Sequence, residues 1–324
     1  MLVVAGLDQL GIFKLIGQWM IDQTATARGL ALAFVLLCFF LSMAITNDVA
    51  LITFVPFAME VLVMSGLTKY MIRLIVLETI AANLGSMLTP LGNPQNLFLY
   101  SLSGIPMEKF VRITLPYALC ALVLLVLATV LLIGKDATEN ETGSVSVNRD
   151  GRWKMHLFLY LMLFAVCMLT VFRVLPYYVS LMIVVAVVCV LNYRILARAD
   201  YGLLCTFVFL FVFIGNLGRV PAISHWLMKL VDGREVLAGV LASQVISNVP
   251  AAILLSGFTD NFRALIVGVN LGGLGTLIAS MASLISFKCY CNDKDSQEGR
   301  YLLVFSGMNV VFLIALVGLY CVLG

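Results

Sequence analysis

The chain has 324 residues, of which 62% are hydrophobic and only 11% are charged, and its mean hydropathy is +1.07. Because soluble domains carry about a quarter charged residues, this composition excludes an ordinary soluble enzyme and a disordered chain. The net charge of +3 is too small to indicate a nucleic-acid partner. Long apolar blocks favour an all-α polytopic membrane protein over a β-barrel, whose strands alternate apolar and polar residues.

Eight apolar runs are long enough, or nearly so, to cross a bilayer, which takes about 20 residues. They lie at about 1–17, 70–99, 111–134, 155–174, 177–196, 200–218, 262–287 and 301–323. Two other apolar blocks, 29–64 and 235–258, are interrupted by a polar tripeptide and a proline. This interruption predicts two re-entrant hairpins, each made of two short helices that meet at a polar tip.

The polar segment 135–154 predicts a solvated linker between two halves that resemble each other in the same order. TNDVALITFVPF (46–57) corresponds to SNVPAAILLSGF (247–258), and NLGSMLTPLGNPQN (83–96) to NLGGLGTLIASMAS (270–283). We therefore predict two repeats. The first is residues 1–134, with its hairpin at 29–64 and its broken helix at 70–99, and the second is residues 155–324, with its hairpin at 235–258 and its broken helix at 262–287.

The distribution of Lys and Arg predicts that the two repeats are inverted in the membrane. If the hairpins do not cross, loops 14–28, 69–73, 135–154, 194–198 and 288–300 share one side and hold most of the basic residues. The positive-inside rule makes this side, including the linker 135–154, cytoplasmic. Inverted repeats with broken helices at the midplane are typical of secondary transporters in the cytoplasmic membrane.

Four interruptions supply polar groups at membrane depth, where free backbone groups are tolerated only around a polar cavity. Two are the hairpin tips, and two are the Gly- and Pro-rich breaks at 89–96 and 270–276. Predicted substrate-binding residues are Thr46, Asn47, Asn93, Gln95, Asn96, Ser247, Asn248 and Thr276. Predicted residues for cation or proton coupling are Asp48, Thr89, Gly92, Asn270, Gly275 and Glu78.

Two acidic residues in this set each have a structural alternative. Asp48 lies at a hairpin tip, where it is expected to bind Na⁺ or carry a proton, but it would also cap the second helix of the hairpin. Glu78 is either a proton carrier or the partner of Arg73 near the cytoplasmic end of its helix. Val249 takes the place of Asp48 in the second repeat, so the two tips are not chemically equal.

The motifs of common enzymes are missing from the sequence. It has no P-loop, H-E-x-x-H or G-x-S-x-G, and only two histidines. We therefore predict that the chain is not an enzyme and needs no cofactor, with Na⁺ as the one possible bound ion.

At TNDVALITFVPF, LTPLGNPQN and SQVISNVP the sequence resembles the ion transporter superfamily with a citrate-transporter-like domain, which groups arsenite permeases, divalent anion/sodium symporters and Na⁺/H⁺ antiporters. The resemblance is greatest to an uncharacterised bacterial inner-membrane branch.

The resemblance implies a homodimeric scaffold with an elevator-like transport domain. In the carboxylate branch each tip carries Ser-Asn-Thr. Asp48 departs from that pattern and is more like the arsenite permeases. This resemblance favours proton coupling. Members begin with further helices, so we expect the first repeat to be truncated at its start.

From these features we predict a secondary active transporter that moves a small anion or oxyacid across the cytoplasmic membrane, coupled to H⁺ or Na⁺. Two alternatives remain open at this point. One is a Na⁺/H⁺ antiporter without an organic substrate, and the other is a truncated, non-transporting relative. The expected partners are the lipid bilayer, the substrate and a second copy of the chain.

Overall fold

A computed structural model of the chain describes residues 2–12, 24–137, 151–172, 174–198, 231–293 and 296–323, with scattered positions between 13 and 23 and between 201 and 229. The regular elements in this part of the chain are helices. In chain order they are α1 (Leu2–Gln9), α2 (Ala27–Leu41), α3 (Asn47–Met64), α4 (Met71–Ser86), α5 (Pro94–Ser103), α6 (Met107–Leu132), α7 (Trp153–Val171), α8 (Tyr177–Asn192), α9 (Glu235–Ile246), α10 (Asn248–Ser256), α11 (Phe262–Leu271), α12 (Met281–Cys291) and α13 (Glu298–Leu323). The all-α polytopic architecture predicted from the sequence is confirmed.

Five of the described helices are long and apolar enough to cross a membrane: α3, α6, α7, α8 with the turn that follows it, and α13. Four of them match apolar runs predicted to span. Most of the predicted run 200–218, part of the run 1–17, and residues 138–150 of the linker lie outside the described residues. The two remaining runs, 70–99 and 262–287, each contain two short helices with a break between them, and none of these helices is long enough to span alone.

Each predicted hairpin consists of two helices joined at a short non-helical tip. Helices α2 and α3 are joined by residues 42–46, whereas α9 and α10 are separated by Ser247 alone. The second arm of the first hairpin is longer than a re-entrant arm requires. Helix α3 has 18 residues and continues through Pro56, because a helix surrounded by apolar material keeps its remaining hydrogen bonds where water cannot compete for them.

The first broken helix restarts at a capped position, whereas the N-cap of α12, Ser280, makes no capping bond through its side chain. Helix α5 begins at Pro94, which needs no amide partner in the first turn. Asn93 caps this helix, and its Oδ1 accepts a hydrogen bond of 2.9 Å from the amide of Asn96. In the second half, α11 ends at Leu271 and α12 begins at Met281 after one short 3₁₀ turn.

Equivalent helices of the two halves make equivalent contacts. The first arm of each hairpin packs on the first half of its own broken helix, α2 on α4 and α9 on α11. The second arm packs on the second half of the other repeat's broken helix, α3 on α12 and α10 on α5. Helix α13 packs on α4, and α6 packs on both α4 and α11. The broken elements of both halves are thus packed together around one centre, while the inverted membrane orientation stays a prediction.

The described start of the linker folds back on the first repeat. Asp136 accepts hydrogen bonds from the Lys69 ammonium (2.6 Å) and the Tyr70 hydroxyl (2.7 Å). Its carbonyl also accepts from the amide of Ala27 at 2.8 Å. The hydrogen bond from Lys69, followed by that from Tyr70, holds the pKa of the Asp136 carboxyl below its usual range.

Candidate functional site

Four helices begin around one small cavity at the centre of the packed broken elements. Helices α3, α5, α10 and α12 start at its wall, two from the hairpin tips and two from the breaks. The cavity measures about 10 Å³, the space of one water molecule. Its lining residues are Asn47, Asp48, Pro94, Gln95, Asn248, Val249, Ser280 and Met281. Because a helix start carries about half a positive charge, this wall favours a negatively charged group.

The first hairpin tip is tied through Asn47 to the first half of the first broken helix and to the loop that interrupts it. The buried Asn47 side chain donates from Nδ2 to Asn83 Oδ1 at 3.1 Å, and its Oδ1 accepts from the amide of Asp48 at 3.0 Å. Its own amide donates to the carbonyl of Gly92 at 3.0 Å. A Cβ on Gly92 would lie 2.6 Å from the Cα of Ser86, so only glycine allows the loop to approach this closely.

Asn83 joins the first repeat to the second. Its Oδ1 accepts from Ser280 Oγ at 2.9 Å, and its Nδ2 donates to Ser283 Oγ at 3.4 Å. Asn83 lies near the end of α4, whereas both serines lie at the start of α12. This side chain therefore fixes the first half of one broken helix to the second half of the other.

Asn270 makes the corresponding bridge in the opposite sense. Its Oδ1 accepts from Asn93 Nδ2 at 3.1 Å, and its Nδ2 donates to Asn96 Oδ1 at 2.6 Å. Asn93 also donates to Ser86 Oγ at 3.1 Å. The two bridges use equivalent positions, with Asn-Asn on one side and Ser-Ser on the other. The predicted residues Asn93, Asn96 and Asn270 thus form a buried amide network behind the cavity wall.

Two threonines of the breaks form hydrogen bonds to the backbone of the hairpins near their tips. The hydroxyl of Thr89 donates to the carbonyl of Met43 within the first tip. The hydroxyl of Thr276 donates to the carbonyl of Gln244 just before the second tip, at 3.3 Å. Gly275, with a φ of +110°, packs against the Gln244 side chain. Thr276 is exposed and does not line the cavity. Thr89, Gly275 and Thr276, which were predicted to belong to the site, therefore contact the hairpins next to their tips.

The second tip carries unusual backbone geometry. Ser247 has φ 74° and ψ 155°, and it is the only non-glycine residue with a positive φ in the described ranges. This region is essentially restricted to glycine, so the serine stores strain of about 1–3 kcal/mol. The buried Asn248 follows it and lines the cavity with Val249.

Asp48 is the one acidic residue among those that line the cavity. It is half-buried and lies in the first turn of α3. Capping is the structural alternative for Asp48, but Thr46 occupies the N-cap position and Asp48 is the second residue of the helix. Thr46 makes no capping bond through its side chain. The structure therefore brings the Asp48 carboxyl to the cavity together with three predicted residues, Asn47, Gln95 and Asn248.

Glu78 lies elsewhere, and its proposed pairing with Arg73 is wrong. Residues five apart point about 140° away from each other around a helix. Arg73 donates instead to the carbonyl of Leu132 at 2.9 Å. The fully buried Glu78 has one oxygen 3.9 Å from the Cys38 sulfur, and the other has no hydrogen-bond partner among the described residues.

The sequence reasoning missed Asn83, Ser280, Ser283 and Gln244 as members of the site. The repeat itself contained the signal for three of them. Asn83 and Asn270 open the same Asn-Leu-Gly string, and Ser280 and Ser283 follow Thr276 at the spacings at which Asn93 and Asn96 follow Thr89.

Comparison with known proteins agrees with this architecture. The citrate transporter family (CitMHS) matches residues 1–262. An uncharacterised transporter of Methanocaldococcus jannaschii is 33% identical over 292 residues, 90% of this chain and 79% of the relative. The inner membrane protein YbiR of Escherichia coli is 34% identical over 298 residues, 91% of this chain and 78% of the relative. An uncharacterised transporter of Mycobacterium tuberculosis is 23% identical over 321 residues, which cover 88% of this chain and 75% of the relative. The chain belongs to the citrate transporter family and is a membrane transporter.

Proposed function

We propose that this protein is a secondary active transporter of a small anion or oxyacid, coupled to H⁺ or Na⁺. One observation carries the proposal: four helix starts meet at a cavity that Asp48 lines as its acidic residue. The helix starts favour an anion, and the carboxyl group supplies a site for a coupling cation.

Substrate binding needs the cavity to open. About 10 Å³ holds one water molecule and no carboxylic acid. Two of the four walls are hairpin tips, so separation of the tips enlarges the site. The strained Ser247 lies at one of these tips. We infer that the structure represents a closed arrangement and that the substrate enters when a tip moves away.

Coupling follows from the charge of Asp48. A substrate carboxylate about 4 Å from an ionised Asp48 would be repelled by roughly 4 kcal/mol at an effective dielectric constant of 20. Each helix start offsets about 0.3–1 kcal/mol of this repulsion, so four of them offset about 1–4 kcal/mol and do not exceed it. Neutralising Asp48 with a proton or Na⁺ then decides whether the anion binds. Because hard cations take oxygen ligands, the Asp48 carboxylate with amide oxygens nearby suits Na⁺ as well.

The helix contacts support an elevator mechanism. Helices α1, α7 and α8 pack against one another, whereas the hairpins and broken helices form the other described group. Contacts between the groups are sparse, and include hydrogen bonds from Thr53 to Asp8 and from Tyr100 to the carbonyl of Val171. We propose that the first group belongs to a scaffold that forms a homodimer in the cytoplasmic membrane, and that the second carries the substrate.

The test is Asp48→Asn in proteoliposomes, because asparagine resembles the protonated aspartate in shape and charge. Citrate, succinate, phosphate and arsenite are first compared by thermal shift, and uptake of the best ligand is then driven by a pH or Na⁺ gradient. We expect the variant to keep ligand binding and normal expression but to lose gradient-driven accumulation. Glu60→Gln, on an exposed position of α3, is the matched control.

Unchanged gradient-driven uptake in Asp48→Asn would remove this residue from the coupling mechanism. Glu78→Gln is the second arm, since an unpaired buried carboxylate is costly and Glu78 remains a proposed proton carrier. Loss of coupling in Glu78→Gln alone would move the proton site to α4. Na⁺ efflux driven by a pH gradient without any anion would favour the antiporter alternative.

A further inference from the structure

A second, larger cavity lies away from the four helix starts. It measures about 260 Å³ and is bounded by the beginning of α6, the beginning of α11 and the end of α13. Five of its lining residues carry polar side chains: Arg112, Tyr117, Asn261, Arg263 and Tyr320. Helices α6 and α13 are both long enough to span the membrane, so their ends place this cavity at the membrane surface.

Two arginines from different helices give the cavity its charge. Arg112 lies on α6, and its guanidinium contacts Glu108 at 2.7 Å, but both side chains are 77% exposed. Such a solvated pair contributes little and is easily exchanged, and Glu108 is not part of the lining. Arg263 on α11 makes no ion pair within the described part of the chain. Among the described residues, the exposed contact with Glu108 is the ion pair that these two arginines make, so together they leave the cavity with a net positive charge.

An apolar stripe leads away from the arginine on α6. Exposed side chains recur every four residues along this helix at Leu115, Leu119, Val123, Leu127 and Leu131. Leu115 and Leu119 follow Arg112 by three and seven residues, which puts them on the same face of the helix. A molecule with an anionic head and a long apolar tail matches this succession of surfaces.

We propose that this cavity binds the phosphate group of an anionic membrane phospholipid, with an acyl chain along the exposed stripe of α6. Arginine guanidinium groups bind phosphate oxygens in a bidentate geometry. The hydroxyls of Tyr117 and Tyr320 supply further hydrogen-bond donors. This site is separate from the proposed transport site and does not depend on it.

The test measures lipid retention by native mass spectrometry of the full chain released from detergent micelles. Phosphatidylglycerol, phosphatidylcholine and inorganic phosphate are added separately. We expect tight retention of phosphatidylglycerol and a loss of affinity of about tenfold or more in Arg112→Gln/Arg263→Gln. Lys109→Gln removes the same kind of charge from an exposed position of α6 that does not line the cavity, and it should retain the lipid.

Three results would overturn the proposal. Equal loss in Lys109→Gln and the double variant would indicate diffuse attraction to a basic surface. Unchanged retention in the double variant, with its thermal midpoint preserved, would exclude the cavity. Binding of inorganic phosphate with the same dependence on both arginines, but without preference for phosphatidylglycerol, would identify a site for a soluble anion.

Discussion

Asn270 offers the sharpest test of the bridge between the two repeats. Its side chain accepts a hydrogen bond from Asn93 and donates to Asn96 Oδ1 and to the carbonyl of Ile266. Asn270→Ala leaves Asn96 Oδ1 buried without its partner, which costs about 1–3 kcal/mol. Asn93 keeps its hydrogen bond to Ser86, so losing its bond to Asn270 costs only about 0.5–1.5 kcal/mol. We expect the free energy of unfolding to fall by about 2–4 kcal/mol.

Asn309 on α13 is a matched control for this substitution. It is fully buried and donates from Nδ2 to the carbonyl of Phe305, four residues earlier, as Asn270 does to Ile266. Its Oδ1 has no hydrogen-bond partner among the described residues. Asn309→Ala therefore removes a similar volume without breaking a bond between the repeats, and we expect a much smaller loss.

The assay is equilibrium unfolding in mixed micelles, followed through the intrinsic tryptophan and tyrosine fluorescence. Gradient-driven uptake is measured in parallel, because loosening the bridge should also weaken transport. If Asn270→Ala loses no more stability than Asn309→Ala, the hydrogen bonds between the repeats do not hold the broken helices together.

Three further predictions concern the loops and the linker. Gly92→Ala should lower the free energy of unfolding by about 1–3 kcal/mol through overpacking, whereas Gly307→Ala, with no atom within 4 Å of the new Cβ, should not. Ser247→Gly should raise the free energy of unfolding by about 1 kcal/mol, because glycine adopts the observed backbone angles without strain. Asp136→Asn should lower the thermal midpoint at neutral pH. This difference should disappear as the pH falls through the lowered pKa of Asp136, and also as it rises through the raised pKa of Lys69, since the pair needs both charges.

Each of these predictions has a clear contrary result. Equal effects of Gly92→Ala and Gly307→Ala in thermal unfolding would mean that the break loop yields to an added methyl group. A loss of stability in Ser247→Gly would show that its side chain contributes more than its backbone costs. A midpoint difference for Asp136→Asn that is independent of pH would rule out the ionic contact as its cause.

The sequence by itself determined where the chain crosses, turns and breaks. Apolar length predicted α6, α7, α8 and α13, because only a helix satisfies its own backbone in lipid. Polar residues next to Pro and Gly predicted the two tips and the two breaks, because such residues free backbone groups where no water is present. Asn47, Asp48, Gln95 and Asn248 were assigned to a site on that ground, and they line one cavity in the structure.

Only the tertiary structure decided which of these residues meet. Asn83 and Ser280 are about 200 residues apart in sequence, and no local pattern determines that their side chains bond. The same packing turned Glu78 toward Cys38 and placed Thr276 behind the second hairpin. Apolar periodicity specifies that a helix is buried, but the partner of a buried polar group depends on the register between helices, and that register is set by the packing of the whole chain.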